Sequence, residues 1–211
     1  LNVKSTPLSF NWFSIIFVRL YKSSLFNASA LHVNWFCVLL ARIKNHPISF
    51  STQSIFPKYI DPKDVRRLDT FVQYGVSAGI QAIDDAGLDE NINKDRVGLN
   101  IGSGIGGLDS IEKNKDILDK KSFKRVSPFF VPSMVPNMAA GYVSIFNQLK
   151  GPNCATATAC AAGAHAIAYA AMNIQRGDAI AMVSGGAEAP LVHVAISGFN
   201  VMRAISTRND D

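Results

Sequence analysis

The first fifty residues contain no acidic side chain. They do contain five basic residues (Lys4, Arg19, Lys22, Arg42 and Lys44), and these account for the net charge of +5. From residue 51 onward, 16 basic residues balance 16 acidic ones. A nucleic-acid-binding protein needs a surplus of positive charge on one surface, and the main body of the chain has none to supply. The charge distribution therefore argues against a nucleic-acid-binding function.

Cysteine is scarce as well, with Cys37, Cys154 and Cys160 as the three in the chain. An odd number without metal-ligand spacing predicts neither a secreted disulfide framework nor a metal site. Long apolar runs are also missing. The best candidate, residues 31–41, is about half the length of roughly twenty residues that a membrane-spanning helix needs. We therefore expect no membrane span and no bound metal.

Residues 1–55 differ in kind from the rest, because they are rich in Phe, Trp, Ser and Asn and show no clear period. Two interpretations stay open: an organelle transit peptide, or a wrongly joined segment, which the bulky aromatics favour. We expect this segment to be disordered or aberrant, and to precede a domain over residues 56–211. The chain begins at Leu1 and has its first methionine at Met134, so we also expect a fragment of a longer protein.

Regular structure is predicted from Asp61 onward, where Asp61-Pro62 is typical of a helix start. Apolar residues then recur at helical spacing as far as Gly87. The spacing predicts one amphipathic helix of about 23 residues. Its apolar positions are Val65, Leu68, Val72, Val76, Ile80 and Ile83, and its other faces carry Arg66, Arg67, Asp69 and Gln73.

Short apolar runs alternate with helical segments along the rest of the chain. Strands are predicted at residues 96–101, 154–159 and 179–184, and helices at 108–118, 137–149 and 161–176. A loop with three prolines is expected at 128–136, and Gly151-Pro152 is expected to end the helix that Asn137 caps. This alternation predicts an α/β layered fold in which helices cover both faces of the sheet.

Cys160 stands where a predicted strand ends and a predicted helix begins. The first turn of a helix has unpaired N–H groups and partial positive charge, which stabilise a thiolate and can bind an oxyanion. The small neighbours Ala159, Ala161 and Gly163 permit a sharp turn and let a substrate approach the sulfur. The pattern predicts a nucleophile that attacks a thioester carbonyl. Cys154 lacks this context and is expected in the core.

The helix after Cys160 is rich in alanine all round, so we expect it to be buried on all sides and reached through a tunnel that suits an apolar acyl chain. A catalytic cysteine normally needs a base. His165 is five residues away, about 140° around the helix, and is expected as a core histidine. His193 is a weak candidate. The residues therefore offer a nucleophile without a convincing base.

The cluster Gly102 to Gly107 contains the G-x-G-x-x-G spacing between a strand and a helix. Alone it would indicate a dinucleotide site, but the acid expected about twenty residues further on is missing. The alternative is a tight turn that brings backbone, with Ile105 as its one bulky side chain, close to another part of the molecule.

The segment from Tyr59 to Asp211 resembles the first half of the thiolase-fold condensing enzymes, the β-ketoacyl-acyl carrier protein synthases. Each matching segment is weak alone, and together they are specific. They are residues 67–74; GSGIGG at 102–107; SPFFVP at 127–132; Asn137-Met138 with Ala140-Gly141; Gly151-Pro152; TATACAAG at 156–163 with His165; GGAE at 185–188; and Gly198-Phe199 leading to RAISTRN at 203–209.

The resemblance implies a thiolase-like layered fold with a mixed sheet, of which this chain holds mainly the first of two repeated halves. It implies that Cys160 accepts an acyl chain from acyl carrier protein, and that malonyl-carrier protein is then decarboxylated and condensed with it. By similarity Ile105 and Phe199 line the acyl pocket, and Phe130 approaches a partner subunit's pocket. No cofactor is implied beyond the carrier's phosphopantetheine. A homodimer through the strand at about 153–159 is implied.

Two departures from the resemblance remain. The family's opening strand and glycine turn are not recognisable in residues 1–55, and its histidines, lysine and second glycine-rich segment belong to a later half. We therefore expect this chain alone not to condense. A catalytically dead partner subunit and a coenzyme A-dependent thiolase-like acyltransferase remain as alternatives. We expect a cytoplasmic location, or a plastid or mitochondrial one if residues 1–55 are a transit peptide.

Overall fold

The computed structural model of the protein describes residues 15–20, 56–88 and 91–206. Four strands form one sheet in the order β1-β4-β2-β3. They are β1 (Ile15–Leu20), β2 (Val97–Gly102), β3 (Asn153–Cys154) and β4 (Ala181–Gly186). β2 runs parallel to both β3 and β4, whereas β1 runs antiparallel to β4. In this register Leu99 lies beside Val183 on one side and Asn153 on the other.

Eight α-helices connect and cover these strands in the described part of the chain. They are α1 (Phe56–Tyr59), α2 (Pro62–Val65), α3 (Thr70–Asp85), α4 (Leu108–Lys120), α5 (Phe130–Met134), α6 (Met138–Asn147), α7 (Ala162–Gln175) and α8 (His193–Val201). Single 3₁₀ turns occupy Lys94–Arg96, Phe123–Arg125 and Ala159–Ala161. Among the described helices, none is both long and apolar enough to cross a membrane.

The main hydrophobic core lies on one face of the sheet. Successive side chains of a strand point to opposite faces, so Leu99 and Ile101 of β2 point the same way. Both are fully buried in a cluster that also holds Phe71 from α3 and Val143 from α6. Burying side chains of this size contributes about 1.5–3 kcal/mol each. Helices α3 and α6 therefore form the layer that holds the sheet from this side.

The opposite face of the sheet carries glycines beside α7, together with Met182, which packs against Ala170 of that helix. A Cβ placed on Gly186 at the end of β4 would lie 3.0 Å from the Cα of Gly163 in α7. Only glycine on both elements allows this approach. The sheet is thus covered on both faces, as the sequence predicts, and the first turn of α7 lies directly over the end of β4.

The single long helix predicted from Asp61 to Gly87 is wrong in one respect, because two helices occupy that segment. α2 begins as expected, with Asp61 accepting a hydrogen bond from Lys63 N at 2.9 Å and Pro62 in the first turn. The chain then leaves the helix, and Asp69 caps a new helix by accepting from Phe71 N. Asp69 and Gln73 were expected on solvent-facing sides of the helix, and both are buried. Burial is possible because each is hydrogen-bonded to the backbone: Asp69 accepts from Phe71 N, and Gln73 Nε2 donates to the carbonyl oxygen of Leu68.

Three other predicted boundaries are also wrong. The proline loop contains a short helix, α5, because Pro132 falls in its first turn, where no backbone N–H is needed. α6 ends at Asn147, and Gln148, the next residue, has a left-handed backbone with φ of 58°, so Gly151-Pro152 does not end the helix. The strand expected at 154–159 is reduced to Asn153–Cys154, the part that pairs with β2.

Strand β1 lies inside the segment that was expected to be disordered or aberrant. It pairs with β4 along its whole length, from Ile15 beside Gly186 to Leu20 beside Ala181. The remainder of residues 1–55 lies outside the described residues. The boundary between this segment and the following domain therefore stays a prediction, although six of its residues join the sheet.

Candidate active site

Cys160 lies in the 3₁₀ turn Ala159–Ala161, immediately before α7. The residue before it, Ala159, has a left-handed backbone with φ of 49°. A non-glycine residue in this region costs on the order of 1–3 kcal/mol, and such residues cluster at functional sites. The cysteine is exposed at the protein surface. The chain therefore presents this thiol on a strained turn at the start of a helix.

The turn is held from the segment that precedes it. Thr156 Oγ1 donates a hydrogen bond to the carbonyl oxygen of Ala162 at 2.7 Å, and Ala161 N donates to the carbonyl of Thr158. No side chain caps α7, although Ala162 N already donates to the carbonyl oxygen of Ala159. Cys160 therefore lies beside the positive end of the helix dipole, which favours an oxyanion on a carbonyl that the thiol attacks.

Helix α7 is buried on one face only, which corrects the expectation that it is buried all round. Ala162, Ala166 and Ala170 recur every fourth residue and are buried against the sheet. Tyr169 and Met172 lie on another face and are 51% and 47% exposed. Alanine favours helices wherever they lie, so an alanine-rich pattern does not distinguish a covered face from an open one.

The two histidines considered as bases are both exposed. His165 was expected in the core, and instead its Nδ1 lies 2.8 Å from Thr158 Oγ1. This contact spans the turn that holds Cys160, because Thr158 precedes the cysteine and His165 follows it. His193 begins α8. Within residues 91–206 neither histidine hydrogen-bonds to Cys160, so the structure does not supply the base that sequence reasoning failed to find.

Cys154 is exposed, so its expected place in the core is wrong. It belongs to β3, which pairs with β2 along one edge, and no described strand lies along the other edge. The protein therefore has two exposed cysteines in its described part, in different backbone settings. Cys37 lies outside that part.

The glycine cluster forms the loop from β2 to α4, and its backbone donors are already occupied. Glu188 Oε2 accepts from Gly104 N at 2.6 Å and from Ile105 N at 2.9 Å. Its Oε1 accepts from Ser103 Oγ at 3.1 Å and from Gly106 N at 3.3 Å. In a dinucleotide site these N–H groups would face a pyrophosphate. Here a carboxylate of the chain itself fills the loop, which excludes the dinucleotide interpretation.

The same loop lies against the turn of the nucleophile, as the alternative interpretation of the cluster requires. A Cβ on Gly104 would lie 3.2 Å from the Cα of Ala159, so the two backbones touch with no room for a side chain. The next residue, Ile105, is 41% exposed. The glycines therefore bring Ile105 next to the segment that carries Cys160.

The other two residues expected at an acyl pocket lie on separate helices. Phe130 is half-buried at the start of α5, and Phe199 is 40% exposed on α8. No hydrogen bond or ring contact within the described residues joins either of them to Cys160. Ile105 is thus the expected pocket residue that the structure links to the nucleophile turn. The end of the RAISTRN motif, residues 207–209, lies outside the described residues.

Sequence reasoning missed Glu188 as a site residue, although two signals pointed to it. A loop with several consecutive glycines exposes backbone donors that need an acceptor. Glu188 follows β4 directly, and Gly102 ends the parallel neighbour β2, so both lie at the same edge of the sheet.

The described part of the chain holds no cluster of three His, Cys, Asp or Glu side chains suited to a metal ion.

The family model for the β-ketoacyl synthase N-terminal domain matches residues 53–211. The 3-oxoacyl-[acyl-carrier-protein] synthase 2 of Vibrio harveyi is 52% identical over 155 residues, which cover 73% of this chain and 37% of that protein. A solved β-ketoacyl synthase from Burkholderia phymatum has a TM-score of 0.62 and 34% identity, covering 71% of this chain and 37% of the other.

A further solved structure is described as a type II PKS acyl-carrier protein in complex with its ketosynthase, bound to the hexaketide. It has a TM-score of 0.66 and 27% identity, over 72% of this chain and 44% of the matched chain. This chain therefore spans between 37% and 44% of the length of each of these relatives. The family match covers most of the described residues, including the turn of Cys160 and the glycine loop. The chain belongs to the β-ketoacyl synthase family, whose N-terminal domain it carries.

Proposed function

We propose that this chain is the acyl-accepting part of a β-ketoacyl-acyl carrier protein synthase that elongates fatty acids, with Cys160 as its nucleophile. The observation that carries the proposal is the exposed thiol on a strained turn at the uncapped start of α7. A nucleophile needs access and a fixed position, and an oxyanion gains from nearby positive charge; this turn offers an exposed thiol at the positive end of a helix dipole.

The acylation step follows from this geometry. The Cys160 thiolate attacks the carbonyl carbon of an acyl thioester, and the oxyanion of the tetrahedral intermediate accepts hydrogen bonds from the first turn of α7. The carbon–sulfur bond to the donor then breaks, and the donor leaves as a thiolate that takes up the proton that the Cys160 thiol gave up. The product is an acyl chain held as a thioester on Cys160, ready for attack by a carbanion derived from malonyl-carrier protein.

The proposed donor is acyl carrier protein, which delivers the chain on its own phosphopantetheine, so no separate cofactor is required. A relative of this fold has been solved with an acyl-carrier protein, which supports this partner. A homodimer through residues 153–159 is supported by the edge of β3 along which no described strand lies. The bacterial source of the relatives supports a cytoplasmic location.

We expect the 211-residue chain to accept an acyl group without completing the condensation. Decarboxylation of malonyl-carrier protein requires acid–base groups beside the nucleophile. Neither His165 nor His193 bonds to Cys160 in the described structure, and His165 is engaged by Thr158. Formation of a β-ketoacyl product by the purified chain would contradict this expectation.

The two exposed cysteines provide a matched test of the nucleophile. The purified chain is incubated with an acyl-carrier protein thioester, and the acylated peptide is identified by mass spectrometry. We expect the acyl group on Cys160 and not on Cys154, and Cys160→Ser should abolish it while Cys154→Ser leaves it unchanged. Equal acylation of both thiols, or acylation of Cys154 alone, would refute the proposal. The same assay with coenzyme A thioesters tests the donor.

A further inference from the structure

The Glu188 carboxylate binds one short loop with both of its oxygens. It accepts hydrogen bonds from the backbone N–H groups of Gly104, Ile105 and Gly106 and from the hydroxyl of Ser103, at 2.6 to 3.3 Å. Consecutive N–H groups that converge on one anion form the kind of concavity that other proteins use to bind phosphate. In this chain the anion is part of the protein.

The sheet fixes the position of this carboxylate. Ala187 N donates to the carbonyl oxygen of Gly102 at 3.0 Å, which continues the β2–β4 pairing one residue past its end. Glu188 follows at once. Ser103, which is 2% exposed, also accepts a hydrogen bond from Gly106 N at 3.1 Å. The loop is therefore attached to the rigid end of two central strands.

The far side of the loop touches the turn of the nucleophile. A Cβ on Gly104 would lie 3.0 Å from Glu188 Oε2 and 3.2 Å from the Cα of Ala159. Gly104 thus lies between the carboxylate and the residue that precedes Cys160. The next residue, Ile105, donates its backbone N–H to the same carboxylate. Any rotation of this peptide therefore moves the Ile105 side chain relative to the thiol.

We propose that Glu188 is a positioning residue that determines which acyl chains Cys160 accepts, by holding the glycine loop and with it Ile105 in one place. This inference rests on the proposed function. Without the carboxylate, Gly104 N, Ile105 N and the Ser103 hydroxyl lose their acceptor, while Gly106 N keeps Ser103 Oγ. The loop then turns to find other acceptors. The Ile105 side chain is then no longer held in one position beside the thiol, and it no longer limits the length of acyl chain that fits there. Discrimination between short and long acyl chains therefore weakens.

Three substitutions separate this role from a simple loss of charge. Glu188→Gln keeps an oxygen for Gly104 and Ile105, while its NH₂ group donates to Ser103 Oγ and Gly106 N stays bonded to Ser103. Glu188→Asp keeps the charge but is one methylene too short to reach the loop from the same backbone position. Glu188→Ala removes every bond. The expected order of effect is Gln smallest, Asp intermediate, Ala largest.

The test is a competition on the full 211-residue chain. Equal amounts of a short-chain and a long-chain acyl-carrier thioester are supplied, and the ratio of the two acyl groups on Cys160 is measured by mass spectrometry. We expect Glu188→Ala to change this ratio by about tenfold, which corresponds to about 1.4 kcal/mol of discrimination. Added formate should enter the loop of this variant and restore both the ratio and the hydrogen-exchange protection of residues 104–106.

The outcomes separate the two proposals. If the unaltered chain is not acylated on Cys160, the proposed function fails. If it is acylated, two results show that the positioning role is wrong. In the first, Glu188→Ala lowers stability but leaves the ratio of acyl groups unchanged; in the second, added formate does not restore the ratio. Should Glu188→Ala not fold, the Asp and Gln variants decide: a shift with Asp that exceeds the shift with Gln supports the role, and equal or reversed shifts overturn it.

Discussion

At the scale of single residues, the sheet contains a polar pair that the site does not use. Asn100 of β2 and Ser184 of β4 lie side by side in the parallel register. They are 0% and 3% exposed, and the side-chain oxygen and nitrogen of Asn100 and the Ser184 hydroxyl have no hydrogen-bond partner in the described structure. A buried polar group without a partner lowers stability by about 1–3 kcal/mol.

Asn100→Val should therefore stabilise the protein. We expect the free energy of unfolding to rise by about 1–2 kcal/mol, since valine removes two unpaired polar atoms and suits a strand. Urea unfolding followed by circular dichroism measures the change. Ser184→Ala is the matched control and should give a smaller gain of the same sign. A loss of stability in Asn100→Val would mean that the amide has a partner in the folded protein.

A second residue prediction concerns Asp61. The backbone N–H of Lys63 donates to its carboxylate and lowers its pKa below the ordinary value of 3.8. A carboxyl with a depressed pKa in the folded state stabilises the fold above the ordinary value, and this contribution is lost as the pH falls through the depressed one. An NMR titration should show Asp61 titrating below 3.8, and Lys63→Pro, which removes the donor, should return it toward that value.

At the scale of helices, one buried carboxylate joins two of them. Asp69 accepts from Phe71 N at 3.2 Å as the cap of α3, and also from Ser110 N at 2.9 Å and Ser110 Oγ at 2.7 Å in the first turn of α4. Asp61 caps α2 at an exposed position by accepting from Lys63 N, and it forms a surface ion pair with Lys63 Nζ at 3.3 Å. Both aspartates cap the start of a helix. They differ because Asp69 is buried and also bonds to a second helix, whereas Asp61 is exposed and does not.

This contrast predicts a large difference between two aspartate-to-alanine substitutions. Asp69→Ala should cost about 2–4 kcal/mol, because it removes a cap and leaves the buried N–H of Phe71 and the partly buried donors of Ser110 unpaired. Asp61→Ala should cost much less, since water replaces the lost acceptor. Chemical denaturation of both variants tests this, and equal losses would show that the link between α3 and α4 adds nothing.

Asp69 also shows where sequence reasoning about elements succeeds and fails. The helical spacing of Val72 and Val76 located the buried face correctly, because burial of apolar side chains is a local pattern. The partner of Asp69 is Ser110, 41 residues later, and no local pattern contains it. The same reason hid Glu188, whose glycine partners are more than 80 residues away. Cys160 was found because its turn, its small neighbours and its helix are consecutive in the chain.

At the scale of the whole molecule, the outer sides of two helices carry exposed apolar side chains. On α7 and α8 six large apolar side chains are between 40% and 84% exposed: Tyr169, Met172, Val194, Ile196, Phe199 and Val201. Apolar surface of this kind is typical of an interaction site. The alternation of strands and helices predicts the fold class correctly. The exposed face of α7 was not predictable, because an alanine-rich sequence suggests a buried helix whether or not another layer covers it.

The proposed dimer gives a prediction at this scale. Cys154 is exposed on the open edge of β3, where a charged side chain opposes pairing with another strand. We expect the unaltered chain to elute as a dimer in size-exclusion chromatography with light scattering, and Cys154→Lys to elute as a monomer. Phe123→Lys, at a 71% exposed apolar position in another region, should leave the dimer intact. A monomeric unaltered chain, or identical behaviour of both variants, would contradict a dimer through this strand.

The order of strands also has a consequence for how the chain folds during its synthesis. β2 is central in the sheet, yet both of its neighbours come later, β3 beginning at Asn153 and β4 at Ala181. A nascent chain on the ribosome would thus expose the apolar residues of β2 until β4 emerges. Such a high contact order is typical of slow folding and of dependence on chaperones. Nascent chains stalled before β4 should therefore aggregate, and those stalled after α8 should not.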